Sequence, residues 1–148
     1  MTDWDTRFLQ MAAMVAGWSK DPSTKVGAVI VRPNRTIASV GYNGFPRDVG
    51  DDPDRYGDRT IKYELVVHAE ANAILHAGEP VRGYSMYIWP FMPCSRCAGL
   101  IIQAGIQVVV SVEDENPRWQ QSFDRTRMIF AEADVRLVLL PKELLVAA

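Results

Sequence analysis

Two short motifs carry the side chains with the most chemical potential: His68-Ala69-Glu70 and Pro93-Cys94-Ser95-Arg96-Cys97. Cys94 and Cys97 are the only two cysteines of the chain, and their spacing is that of a metal clip or a redox pair. If that segment opens a helix, both sulfurs sit at its positive dipole end, which favours thiolate. Two soft sulfurs and one imidazole, His68, suit Zn²⁺. A closed structural site needs a fourth ligand. His76 is the one other histidine, but it lies roughly 12 Å along a shared helix from His68, too far to bind the same tetrahedral ion. A carboxylate could close the site, whereas three protein ligands with water in the fourth position is the catalytic pattern. Such a water becomes a nucleophile near neutral pH, and Glu70 is placed to move its protons. An ideal helix would put Glu70 nearly opposite His68, so the helix has to begin close to His68. The bland readings are a thioredoxin-like redox pair or buried thiols for the cysteines, a satisfied core histidine for His68 and a solvated carboxylate for Glu70. The co-occurrence of the two motifs favours the metal. His76, just before Gly78, reads as a helix-end residue that suits the dipole.

Around these motifs the chain reads as one domain, residues 1–148, long enough to bury a core. A formal charge of -2 argues against a broad electrostatic grip on nucleic acid. No apolar run reaches the roughly 18–20 residues that span a bilayer, and the opening Met1-Thr2-Asp3-Trp4-Asp5 carries no signal core, so the expected location is the cytoplasm. Phe8, Met11, Ala12 and Val15 mark an amphipathic helix over 3–19, broken at Asp21-Pro22. Residues 26–31 read as a buried strand, 32–35 as a hairpin turn and 36–41 as the returning strand. Residues 43–60 are Asp-rich and read as a long functional or mobile loop. Helices at 62–77, 94–104 and 117–132 then alternate with strands at 84–89, 106–112 and 134–140. This alternation predicts an α/β domain whose strands run parallel, joined by crossover helices.

His-x-Glu followed by Pro-Cys-x-x-Cys is the signature of zinc-dependent nucleobase deaminases. Three further stretches narrow the resemblance: Ser19-Lys20-Asp21-Pro22-Ser23-Thr24-Lys25-Val26-Gly27-Ala28-Val29, Gly41-Tyr42-Asn43-Gly44-Phe45-Pro46, and His68-Ala69-Glu70-Ala71-Asn72-Ala73-Ile74. With Cys97-Ala98-Gly99-Leu100-Ile101-Ile102-Gln103-Ala104-Gly105-Ile106, these make residues 4–140 resemble the deoxycytidylate (dCMP) deaminase family. The resemblance implies a three-layer α/β/α fold of the cytidine deaminase kind, with a mixed central sheet of about five strands and the last strands parallel. It implies one catalytic zinc ion on His68, Cys94 and Cys97. It also implies that zinc-bound hydroxide attacks C4 while Glu70 carries protons to N3 and the leaving amine, so that dCMP would become dUMP and ammonia. By the same resemblance Asn43 contacts the sugar and the Ala69 backbone helps hold the base. The family further implies a homo-oligomer, hexamer or dimer, and regulation by dCTP and dTTP. A nucleotide effector would bring Mg²⁺, with the 43–60 loop as the place for its contacts.

Lys25, Arg47, Arg55, Arg59 and Arg118 are candidates for the 5′-phosphate, with a solvated surface as the alternative for the arginines; Trp89 and Phe91 read equally as pocket wall or as core packing. Arg118, Arg125 and Arg127 read first as a solvated or subunit-facing surface of their helix. Two features depart from the family. Residues 84–92 are bulkier and about one residue longer than usual, and residues 43–62 hold no cysteine or histidine for a second, structural zinc. The same chemistry on a modified dCMP, a nucleoside, a free base or a tRNA adenosine is the nearest alternative. A non-catalytic nucleotide-sensing zinc module is the alternative from another class.

Overall fold

The computed structural model describes residues 3–146. Helix α1 (Trp4–Ala16) starts where the Asp3 carboxylate accepts the Thr6 amide, an ordinary N-cap. It ends at Gly17, a little before the expected boundary. Strands β1 (Gly27–Val31) and β2 (Ile37–Tyr42) form the antiparallel hairpin. Strand β3 (Ser85–Trp89) pairs antiparallel with β1, while β4 (Val108–Val112) and β5 (Arg136–Leu140) follow in parallel. The five-stranded sheet has the order β2-β1-β3-β4-β5. The parallel expectation therefore holds from β3 onward, and the amino-terminal hairpin makes the sheet mixed.

Alternation along the strands divides the core into two layers. Val29, Val31, Tyr87, Val110 and Val112 face α1, through Phe8, Leu9 and Ala12. Leu145 of α7 (Glu143–Val146) packs on this side too. Ala28, Ile30, Met86, Ile88 and Val109 face the other way. There they meet α4 (Ala69–His76), α5 (Ser95–Ala104) and α6 (Pro117–Glu132) through Ala73, Ile101 and Phe130. The result is the expected three-layer α/β/α arrangement.

Two sequence boundaries are corrected. The single helix expected at 62–77 is two helices, α3 (Arg59–Leu65) and α4. The cause is non-local. Val67 and Gly44 exchange backbone hydrogen bonds, Gly44 N–H to the Val67 carbonyl at 3.1 Å and Val67 N–H to the Gly44 carbonyl at 2.7 Å. That exchange pulls the chain out of helical geometry just before His68. The 43–60 stretch is also more ordered than a loop. It contains α2 (Pro53–Gly57), capped by Asp52, and leads into α3, capped by Asp58, so part of its acidity serves helix starts.

Two devices fix α4 and the cavity beside it. The first is Gly41 on β2, where a β-carbon would overlap the Ala69 carbonyl oxygen and the Ala73 nitrogen. The first turn of α4 thus rests directly on the strand backbone. The second is Asp21, which has 1% relative exposure. Its carboxylate accepts the amides of Ser23 at 2.9 Å and Thr24 at 3.2 Å. It also pairs with the Lys62 ammonium at 2.9 Å and accepts from Asn43 Nδ2 at 3.4 Å. Burial pushes this carboxyl up. The Lys62 ammonium and the two amides outweigh burial and hold it below the usual carboxylate range.

Gly41→Ala is expected to cost about 3 kcal/mol in urea denaturation, because backbone atoms rather than a flexible side chain are struck. A loss below about 0.5 kcal/mol, the size of an ordinary surface change, would contradict the close packing. For Asp21 the sign follows from the depressed carboxyl. Its stabilisation is present above the unfolded value of about 3.9 and fades as pH falls through the lower folded value. Asp21→Asn is expected to cost about 1–3 kcal/mol at neutral pH, with the gap to the wild type closing in acid. A gap that widens in acid would contradict the assignment.

Candidate metal centre and cavity

The break before α4 and the turn after β3 bring two helix starts together. His68 is the N-cap of α4 and Cys94 the N-cap of α5, with Cys97 in the first turn of α5. Neither cap side chain bonds its own helix, so both are available to something else. His68 Nδ1 lies 3.3 Å from Cys97 Sγ and 3.6 Å from Cys94 Sγ. The three donor atoms all lie within 4.8 Å of one another, and no fourth His, Cys, Asp or Glu joins the group among the described residues. One imidazole nitrogen and two sulfurs at this separation fit a tetrahedral zinc ion with one open position. His76 sits in the last turn of α4, as its spacing from His68 requires.

The electrostatics agree with a cluster that shares protons. The Cys97 thiol donates toward Cys94, which together with His68 pulls Cys94 well below the usual thiol range against the effect of burial. The same hydrogen bond, with burial, pushes Cys97 up. His68 is raised, chiefly by its hydrogen bond with Cys94, against the effect of burial.

Glu70 is the second residue of α4 and is 4% exposed. Burial pushes its carboxyl up to about 7; the nearby His68 lowers it in part and Cys94 adds to the rise. The geometric difficulty raised by the sequence is resolved by the cap. His68 has extended backbone angles, φ -71° and ψ 156°, so it is not bound by helical phase, and both His68 and Glu70 line one cavity.

That cavity has a volume of about 640 Å³. Asn43, Ala69, Phe91 and Cys94 line it with His68 and Glu70. Asn43 is buried. Its Oδ1 accepts the Val26 amide at 2.9 Å, and its Nδ2 donates to the Thr24 carbonyl at 2.8 Å. Phe91 packs against Trp119 and Phe123, with ring centroids 5.7 and 6.0 Å apart.

Two expected substrate residues lie elsewhere. Lys25 donates to the Ser19 carbonyl and does not line the cavity. Trp89 is partly buried on the α1 side of the sheet, with the Lys142 ammonium 5.4 Å from its ring centroid. Strand alternation groups it with Tyr87, away from the cavity. Of the candidate arginines, Arg59 and Arg118 line the cavity, whereas Arg47 and Arg55 do not.

Arg96, Lys62, Tyr63 and Trp119 also line it and escaped the sequence reading. Arg96 could have been found, since it sits inside the Cys94–Cys97 motif. Lys62 and Tyr63 give no signal, because the helix expected over 62–77 runs unbroken, whereas the break before His68 sets them apart on α3. Arg118 donates to the Tyr63 hydroxyl across 55 residues and lies 4.5 Å from the Trp119 ring centroid. The start of α6 is therefore cavity wall rather than free surface. Lys62 is neutralised by Asp21, leaving the guanidinium groups of Arg59, Arg96 and Arg118 as the cavity's other cations.

Comparison with known proteins gives a consistent result. The family described as the cytidine and deoxycytidylate deaminase zinc-binding region matches residues 2–113. The chain is 44% identical over 148 residues to the Aliivibrio fischeri protein named "Uncharacterized deaminase in luxG 3'region", covering 98% of this chain and 99% of that one. It is 40% identical over 141 residues to the deoxycytidylate deaminase of Homo sapiens, covering 90% of this chain and 77% of that one. Among solved structures, the dCMP deaminase from the cyanophage S-TIM5 shares the fold, with a TM-score of 0.70 at 22% identity, over 92% of this chain and 96% of that one. With the family match extending over residues 2–113 and containing His68, Glu70, Cys94 and Cys97, this chain belongs to the zinc-binding cytidine and deoxycytidylate deaminase family.

Proposed function

We propose that this protein hydrolytically deaminates dCMP, converting dCMP and water to dUMP and ammonia. The observation that carries the reading is the opening of one cavity onto His68, Cys94, a buried Glu70 and three arginines together. The substrate class rests on relatives named deoxycytidylate deaminase at 40% identity. A solved relative carries dCMP and dUMP.

His68, Cys94 and Cys97 are the residues that would hold zinc. A zinc ion there supplies Lewis acidity that activates water near neutral pH. Glu70 is not a member of the donor group, in keeping with the general acid–base role of the corresponding glutamate in zinc deaminases. A carboxyl pushed to about 7 by burial accepts and returns protons near neutral pH with little driving-force penalty. It takes one proton of the attacking water and delivers it to N3 of the pyrimidine; it then takes the second proton from the oxygen now bonded to C4 and passes it to the C4 amine, so that the C4 carbonyl forms as the C–N bond breaks and ammonia leaves.

The rest of the chain orients the nucleotide. The Ala69 amide is among the first in α4, where amides have no intrahelical acceptor, and it can donate to the base. Asn43 already spends its amide donors on Thr24 and Asp21, and one lone pair on Val26. Its Oδ1 keeps a second lone pair for a sugar hydroxyl. Phe91 supplies an apolar face. Arg59, Arg96 and Arg118 offer fork-shaped donors suited to a phosphate, which favours a nucleotide over a nucleoside or free base.

Ammonia release from dCMP, 5-methyl-dCMP, CMP, deoxycytidine, cytosine and a tRNA anticodon stem tests the reading, with zinc content measured alongside. dCMP is expected to turn over fastest. Glu70→Gln is expected to retain zinc and lose about 10²–10⁴-fold in kcat, the usual worth of a positioned acid–base group. Equal or faster turnover of deoxycytidine would contradict the phosphate assignment. Unchanged kcat in Glu70→Gln would contradict the proton shuttle.

A further inference from the structure

An N-cap side chain ordinarily accepts one of the first free amides of its helix. Cys94 does not, and its sulfur lies 3.6 Å from His68 Nδ1 instead. The capping duty passes to another helix. Ser122 of α6 accepts the Ser95 amide at 3.0 Å. Thr126, four residues further along α6 and so on the same face, donates its hydroxyl to the Pro93 carbonyl at 3.0 Å.

The two backbone groups so bound flank one residue. The Pro93 carbonyl belongs to the peptide unit entering Cys94, and the Ser95 amide to the peptide unit leaving it. Peptide units are planar, so holding both planes holds φ and ψ of Cys94, at -66° and 167°. Those angles set the direction of its Cα–Cβ bond and hence the reach of the sulfur. Thr126 is fully buried and does not line the cavity. Its influence therefore runs through the Pro93-Cys94 peptide.

We propose that Ser122 and Thr126 are positioning residues for the metal: α6 clamps the backbone on both sides of Cys94 and so holds its thiolate where zinc requires it. The proposal rests on the zinc reading given above. Outer hydrogen bonds that orient metal ligands act in this way on affinity. A capping role alone would support the helix start without affecting the metal.

The test measures zinc affinity by competition with a chromophoric chelator, together with the visible spectrum of the Co²⁺-loaded protein. The chains compared are the wild type, Ser122→Ala, Thr126→Val and Thr126→Ser. Ser122→Ala, at a half-buried position, keeps the test decisive if Thr126→Val does not fold. Ser122→Ala and Thr126→Val are each expected to weaken zinc binding by about 10–100-fold and to shift the cobalt bands. Thr126→Ser, which keeps the hydroxyl, is expected to restore most of the loss. Unchanged zinc affinity and cobalt spectra in the folded variants would overturn the proposal, whatever happens to their melting temperatures. A wild-type chain that takes up neither metal would overturn the zinc reading itself, and this proposal with it, before any substitution is compared.

Discussion

The site depends on two helices that begin side by side with their first side chains left free. An N-cap residue has extended backbone angles and a side chain that ordinarily turns back to its own helix. His68 and Cys94 hold this position on α4 and α5, and both turn elsewhere. This single constraint brings an imidazole and two sulfurs within 4.8 Å of one another. It also frees Glu70 from helical opposition to His68. Their placement is enforced from outside the two helices. The Gly44–Val67 exchange ends α3 and sets the start of α4, Gly41 lets α4 lie against β2, and α6 holds the turn into α5.

The cavity's charges follow a related logic. Among its lining residues Asp21 and Lys62 are committed to each other, and their pairing fixes the turn that also receives Asn43. Asp21, Lys62 and Asn43 are therefore hydrogen-bonded to the protein itself. Glu70, by contrast, is buried without a cationic side-chain partner among the salt bridges of the described residues, and its proton is held near neutrality by burial. Hydrogen-bonded Asp21, Lys62 and Asn43 beside one poised acid suit proton transfer, since these groups need little reorganisation when charge moves.

Much of this was legible in the sequence because the informative signals are local. The donor trio is written in two short spacings, and the strands in apolar runs bounded by turns. The broken helix at 66–68 was not legible, because its cause is backbone pairing with Gly44, which is distant in sequence. Trp89 takes its core-packing reading rather than the pocket-wall one, because strand alternation puts it with Tyr87 on the α1 side. Lys25 turns from the cavity to the Ser19 carbonyl, a partner that gives no sequence signal. Arg118 reads both as a phosphate candidate and as part of a solvated or subunit-facing helix surface; its bond to Tyr63 of α3, which is distant in sequence, favours the first.

Zinc-edge X-ray absorption on the purified protein tests the central claim most directly. The account predicts one zinc per chain with two sulfurs at about 2.3 Å and two lighter atoms at about 2.0–2.1 Å. One lighter atom is the imidazole nitrogen of His68 and the other comes from the open position. A metal shell with fewer than two sulfurs, or a protein that retains no zinc, would contradict it.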